Sequence, residues 1–140
     1  MRRDPAIALL ALGQTLIWAA TYYVFPALLL RWETDLGWSK ADLTLSVTLA
    51  ILATALASPI AGRLIDKGHG ATLMGACAAA AGAGLILVSL VTQPWQFTAA
   101  WILIGTTLAG CLYEPTFAII TRSRGDRAKR AIIAITLVAG

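Results

Sequence analysis

The chain has 140 residues, of which 59% are hydrophobic and 13% charged, with a formal net charge of +4; soluble domains carry about 25% charged residues. A soluble fold of this length leaves about a third of its extended-chain surface in water and cannot hide so much apolar side chain. The composition excludes an ordinary soluble enzyme, a disordered chain and a disulfide-stapled secreted module, and leaves an integral membrane protein.

Taken in order, Pro5 to Leu30 is the first charge-free stretch. It follows Arg2 and Arg3 as a secretory signal would, but it is too long for an h-region of about 7–15 residues. It predicts a retained helix near 6–30, followed by the polar segment Arg31–Asp42. Leu43 to Gly62 is again free of charge and predicts a second helix near 43–64. Gly68 to Tyr113 contains no Lys, Arg, Asp or Glu. That is too long for one helix, and Gln93-Pro94-Trp95-Gln96 supplies a turn, so helices are expected near 71–92 and 96–121. A fifth apolar run begins at Ala131 and reaches Gly140. It covers only about 15 Å, roughly half a hydrocarbon core, and reads as the front of something longer. The expected fold is all-α and membrane-integral. Residues 1–140 form one N-terminal bundle of four transmembrane helices plus the start of a fifth.

Charge sets the expected orientation. Arg2, Arg3, Arg63, Lys67, Arg122, Arg124, Arg127, Lys129 and Arg130 flank one side; only Arg31 and Lys40 flank the other, beside Glu33, Asp35 and Asp42. That bias places the N-terminus in the cytoplasm, as in a multi-pass protein of a bacterial inner membrane. Trp32, Trp38, Trp95 and Trp101 fall near the opposite interface, where aromatic belts form. Basic residues clustered between apolar runs argue against nucleic-acid binding. Cys77 and Cys111 lie inside apolar runs with no CxxC partner, and His69 is the only histidine. Neither a metal site, a cofactor nor a structural disulfide is expected.

Small residues are expected to pack the helices, because lipid leaves little hydrophobic drive between them. The small-xxx-small pairs are Gly75/Ala79 and Ala78/Gly82 on the third helix, and Gly105/Ala109 on the fourth. Apart from Arg63, which ends the second charge-free run, Glu114 is the only acid or base inside a predicted span. An ionisable group there is costly unless paired, hydrated or protonated, and is a functional candidate by default. Pro115 follows and releases the carbonyl of Cys111 from its helical hydrogen bond, which suits a polar cavity. The bland alternative is a glutamate hydrated from the nearby interface. On the first helix Gln14, Trp18, Thr21, Tyr22 and Phe25 share one stripe, with Tyr23 pointing away. Amide, hydroxyl and aromatic groups at mid-depth suit a solute cavity, although ordinary helix–helix hydrogen bonding explains them as well. The substrate-binding candidates are Gln14, Trp18, Thr21, Tyr22 and Glu114. No hydrolase or transferase constellation is present, so no enzyme is expected.

The stretch Gly62-Arg63-Leu64-Ile65-Asp66-Lys67-Gly68-His69-Gly70 resembles the signature loop G-x-L-x-D-[RK]-x-G-[RK]-[RK] of the major facilitator superfamily. Gly62, Leu64, Asp66 and Lys67 match, while His69 takes the glycine position and Gly70 and Ala71 replace the two bases. Trp18-Ala19-Ala20-Thr21-Tyr22-Tyr23, Pro26-Ala27-Leu28, Gly37-Trp38-Ser39 and Leu112-Tyr113-Glu114-Pro115-Thr116-Phe117 are similar to bacterial members near the monocarboxylate-transporter branch. The basic stretch before the fifth run adds to the likeness. The resemblance implies a twelve-helix secondary transporter with this chain as its first third. It implies that Asp66 gates against helix ends, with Arg63, Lys67, Arg122 and Arg124 as the neighbouring bases and Arg122 or Arg124 as its partner. A solvated loop acid is the plainer alternative.

The function expected is secondary active transport of a small solute by alternating access. Glu114 offers a route to proton coupling, and the family branch suggests an organic anion. Partners would be the solute, the bilayer and the remaining helices of a longer transporter. The competing expectation is a stand-alone small membrane protein that assembles or scaffolds without transport.

Overall fold

The computed structural model describes residues 5–125 and 128–139. Arg2, Arg3 and Arg127, counted above for orientation, lie outside the described residues. Among the described residues every element is a helix: α1 (Pro5–Leu36), α2 (Lys40–Leu64), α3 (Gly70–Leu90), α4 (Pro94–Leu108), α5 (Tyr113–Arg124) and α6 (Ala128–Ala139). Three largely helical stretches are long and apolar enough to cross a membrane: Pro5–Leu36, Lys40–Leu90 and Pro94–Arg124.

α1 is longer than the charge pattern suggested. Arg31 to Leu36 stays helical, with Arg31 paired to Asp35 one turn on at 3.1 Å. Charged residues above the lipid can continue a helix, and this one stops only at Gly37, whose left-handed φ of 67° a side chain would resist. The connector shrinks to three residues. Ser39 then caps α2 by accepting the amide of Asp42 at 3.1 Å. Within α1, Ala19–Tyr23 widens into a π turn. Pro26 lies just beyond it, and its ring cannot sit against the Tyr22 carbonyl in a regular helix.

The stretch Lys40–Leu90 turns back on itself. Ala50 packs on Gly105 and Gly84 packs on the neighbouring Ile104. A straight helix would hold residues 50 and 84 about 50 Å apart. Reversal occurs at Gly68, whose φ of 91° breaks the helical run between Ile65 and His69.

α4 is the centre against which α2 and α3 pack. A methyl at Gly105 would overlap the Ala50 carbonyl, so the α2 and α4 backbones meet with nothing between them. Thr54 Oγ1 donates across that seam to the Gly105 carbonyl at 2.6 Å. Gly105 thus acts as the spacing implied, whereas Ala109 is buried in the turn after α4. The α3 pairs do not: Gly75 and Gly82 are exposed, with open space where a Cβ would stand. α3 turns Ala81, Gly84 and Val88 inward instead, because the helix is small and apolar all round and only tertiary packing selects a face.

The two ends of the bundle differ. At one end Phe25, Trp32, Trp38, Phe97 and Trp101 pack ring against ring, Phe25 and Trp101 edge-on at 5.4 Å. Trp101 is only 2% exposed and belongs to this core, not to an interfacial belt, whereas Trp95 is 67% exposed. At the other end stand Arg63, Lys67, Arg122 and Arg124. A second core joins α1, α5 and α6 through Ala11, Ile120, Ala128, Ala131 and Ile135.

Candidate functional site

Residues 96–121, expected as one helix, are two. α4 ends at Leu108, residues 109–112 form a turn, and α5 restarts at Tyr113. Pro115 is the local cause, since it has no amide for the Cys111 carbonyl. The turn is closely packed: a methyl on Gly110 would overlap the Cys77 sulfur of α3.

The freed carbonyl of Cys111 is taken by Gln14 of α1, whose Nε2 donates to it at 2.9 Å. The same nitrogen donates to Thr116 Oγ1 at 2.7 Å, and Thr116 Oγ1 donates onward to the Leu112 carbonyl at 3.1 Å. One amide therefore spans the break, bonded to a residue on each side of Pro115. Gln14 is 2% exposed and Thr116 is fully buried.

Four buried side-chain atoms lack a hydrogen-bond partner among the described residues: Gln14 Oε1, Trp18 Nε1, Trp101 Nε1 and Tyr113 Oη. Three of the four belong to residues gathered at the break. Trp18 lies one turn beyond Gln14, and its ring stands 5.3 Å from that of Tyr113. Tyr22 packs on Trp18 at 4.5 Å and Phe117 stacks on Tyr113 at 5.2 Å. The result is an aromatic strip along α1 and α5 with one unused acceptor, one unused donor and one hydroxyl. Buried polar groups are rarely left unpaired, and three of those among the described residues gather at the break.

Glu114 occupies the first turn of α5, where the positive end of the helix dipole favours a carboxylate. It is exposed on the surface of the described bundle. Thr21 does not join the site. Its hydroxyl is committed to the Ile17 carbonyl of its own helix at 2.6 Å, and it lines a separate pocket of about 80 Å³ with Tyr22, Val47, Thr54, Trp101 and Leu108. Tyr22 touches both regions. Sequence reasoning missed Tyr113 and Thr116, although both flank the Glu114-Pro115 pair that signalled the break.

At the basic end Arg122 reaches the loop, but it binds backbone. Its Nη1 donates to the Ile65 and Asp66 carbonyls at 3.2 and 2.9 Å, closing the orphan carbonyls at the end of α2. The Asp66 carboxylate makes no ion pair among the described residues. Arg63 donates to the Pro59 carbonyl of its own helix at 3.2 Å. Lys67 is exposed and Arg124 half-buried. A pocket of about 270 Å³ lies between loop and helix, lined by Gly68, Gly70, Ile119, Arg122 and Ser123.

Apolar helices of membrane-crossing length, one broken at a polar site, define an integral multi-pass membrane protein. The chain matches the family model of the Major Facilitator Superfamily over residues 10–139. It belongs to that family, and is a transporter of the major-facilitator kind, whose members are transporters and not enzymes. No curated protein and no solved structure matches it.

Proposed function

We propose that the chain supplies the N-terminal bundle of a secondary active transporter, crossing the membrane four times and starting a fifth crossing at α6. In this reading a small solute moves by alternating access, and the break between α4 and α5 forms part of its site. The family match carries the transport reading; the three unpartnered polar atoms at the break support the location. Gln14, Trp18, Tyr22 and Glu114 line the site, joined by Tyr113. Thr21 is the weakest of the original candidates, since its hydroxyl is already used. No described side chain at this level carries a positive charge, so an organic anion rests on the family branch alone and would need either a base from helices beyond this bundle or binding in protonated form.

Glu114 is the proposed proton carrier. A carboxyl group on the outside of an apolar bundle is costly in lipid, so water or further helices must cover it, as in a transport cavity. Glu114→Gln mimics the protonated acid and cannot titrate. In the complete transporter it should abolish uphill accumulation and leave downhill exchange of solute. Accumulation with an unchanged pH profile would end proton coupling.

The charge bias supports a cytoplasmic basic end, with Asp66, Arg63, Lys67, Arg122 and Arg124 as the proposed gate. Arg122 acts there by gripping the loop backbone, which leaves the Asp66 carboxylate to meet a partner from another part of the transporter. A cysteine at Ser39 should react with an impermeant thiol reagent in intact cells, and one at His69 should not. The reverse pattern would invert the topology. His69 is the better probe than Gly70, where an added Cβ would stand 2.9 Å from Ile119.

A further inference from the structure

We propose that Gln14 is a positioning residue: a latch that holds the α4–α5 break closed, so that α5 pivots when the latch is released. A side chain that merely packed α1 against its neighbours could be apolar, and a buried amide is tolerated only where its hydrogen bonds are made. Gln14 spends both protons of Nε2 at one place, on the Cys111 carbonyl before Pro115 and on the Thr116 hydroxyl after it. Since a carbonyl accepts only from a donor, the nitrogen must face the break, and Oε1 is left unpartnered among the described residues. The latch therefore has one hand on the hinge and one atom free for a competing donor.

The rest of α5 is built to move as a unit. It is 12 residues long with only Pro115, Thr116 and Ile120 fully buried. Gly125 ends it with a φ of 50°, and Arg122 ties its far end to the loop carbonyls of residues 65 and 66. Opening at the break would thus carry motion to the loop through a rigid piece about 18 Å long. Any donor that draws Gln14 away leaves the Cys111 carbonyl without a partner, which favours opening.

Cys111 reports on the hinge directly. It is 0% exposed, its thiol donating to the Thr107 carbonyl at 3.4 Å, so alkylation requires the break to open. The full chain carrying Cys77→Ser is reconstituted in lipid vesicles and treated with N-ethylmaleimide, and modification of Cys111 is followed by mass spectrometry. Gln14→Met, close in size but lacking the amide, should raise the rate about tenfold. Thr116→Val, which spares the Cys111 bond, should raise it two- to threefold. Thr54→Val removes a hydrogen bond elsewhere on α4 and should leave it unchanged. If Gln14→Met does not fold, Gln14→Asn tests the same point, since its amide is one methylene too short to span the break. An unchanged rate in the folded Gln14 variant overturns the latch, and so does equal acceleration by Thr54→Val, which would mean general loosening. The inference rests on the transporter reading only for what the hinge serves, and the alkylation needs no solute. If Gln14→Met unmasks Cys111 while Glu114→Gln still accumulates solute, the latch stands and proton coupling fails.

Discussion

α4 and α5 fall within a single expected span, yet they are held in opposite ways. Seven of the 15 residues of α4 are buried, against three of the 12 in α5. α4 is fastened along its length by close packing on glycine, with the Gly105 backbone on that of Ala50 and the Ile104 side chain on Gly84. α5 is fastened by directional polar ties near its two ends, Gln14 at the break and Arg122 at the loop. Steric fit is short-ranged and distributed, so α4 gives way only as a whole. A few hydrogen bonds can be exchanged singly, which suits a part that must change position.

Substitutions on the two helices should therefore fail differently. The largest effect is expected from Gly105→Leu, whose side chain has no room against the Ala50 backbone. Overpacking of this kind costs about 3 kcal/mol or more, and the purified protein should lose its monodisperse elution and melt well below the parent. A folded variant with parental melting would show that α2 and α4 are not in contact as described.

Arg122→Ala should cost far less, about 1 kcal/mol for hydrogen bonds made at an exposed site. Its signature is positional. Spin labels at Lys67 and Ser123 should show a broadened, longer distance distribution while the melting temperature barely moves. An unchanged distribution would mean that α5 is fixed by packing, like α4.

The smallest effect sharpens the same contrast. Thr54→Val deletes the 2.6 Å bond to the Gly105 carbonyl, and interhelical hydrogen bonds in membrane proteins average about 0.6 kcal/mol. A slight fall in melting temperature is expected in detergent. A drop as large as that of Gly105→Leu would assign the seam to hydrogen bonding and not to shape.

Much of the molecule was legible in the residues. Charge-free runs marked where apolar helices lie, because the hydrophobic requirement is local and additive, but not that α1 continues to Leu36 or that residues 109–112 interrupt the run from 96 to 121. Pro115 announced the loss of a bond at Cys111 for the same reason: the missing amide is a property of one residue. Which partner would claim that carbonyl was not local. Gln14 is 97 positions away, and a stripe of polar residues on α1 fitted a solute cavity as well as it fitted a tie to another helix. The structure makes Gln14 a tie through its nitrogen, turns Thr21 inward on itself and brings in Tyr113. Trp101 went the same way: proximity to an interface is visible in order along the chain, but burial against Phe25 and Trp32 depends on how the helices meet.

Composition and residue order suffice to make this an apolar, helical, membrane-crossing chain with one acid and one proline placed together in a span. They also fix where the basic residues cluster, since both properties follow from short windows of the chain. Packing between helices selects which face of the small-residue helix α3 turns inward, and sets Arg122 on loop carbonyls in preference to the Asp66 carboxylate. The same packing bonds Gln14 across the break. Helices without a strong apolar–polar asymmetry carry no local instruction about their neighbours, so fit between backbones and the need to satisfy buried polar atoms make that choice.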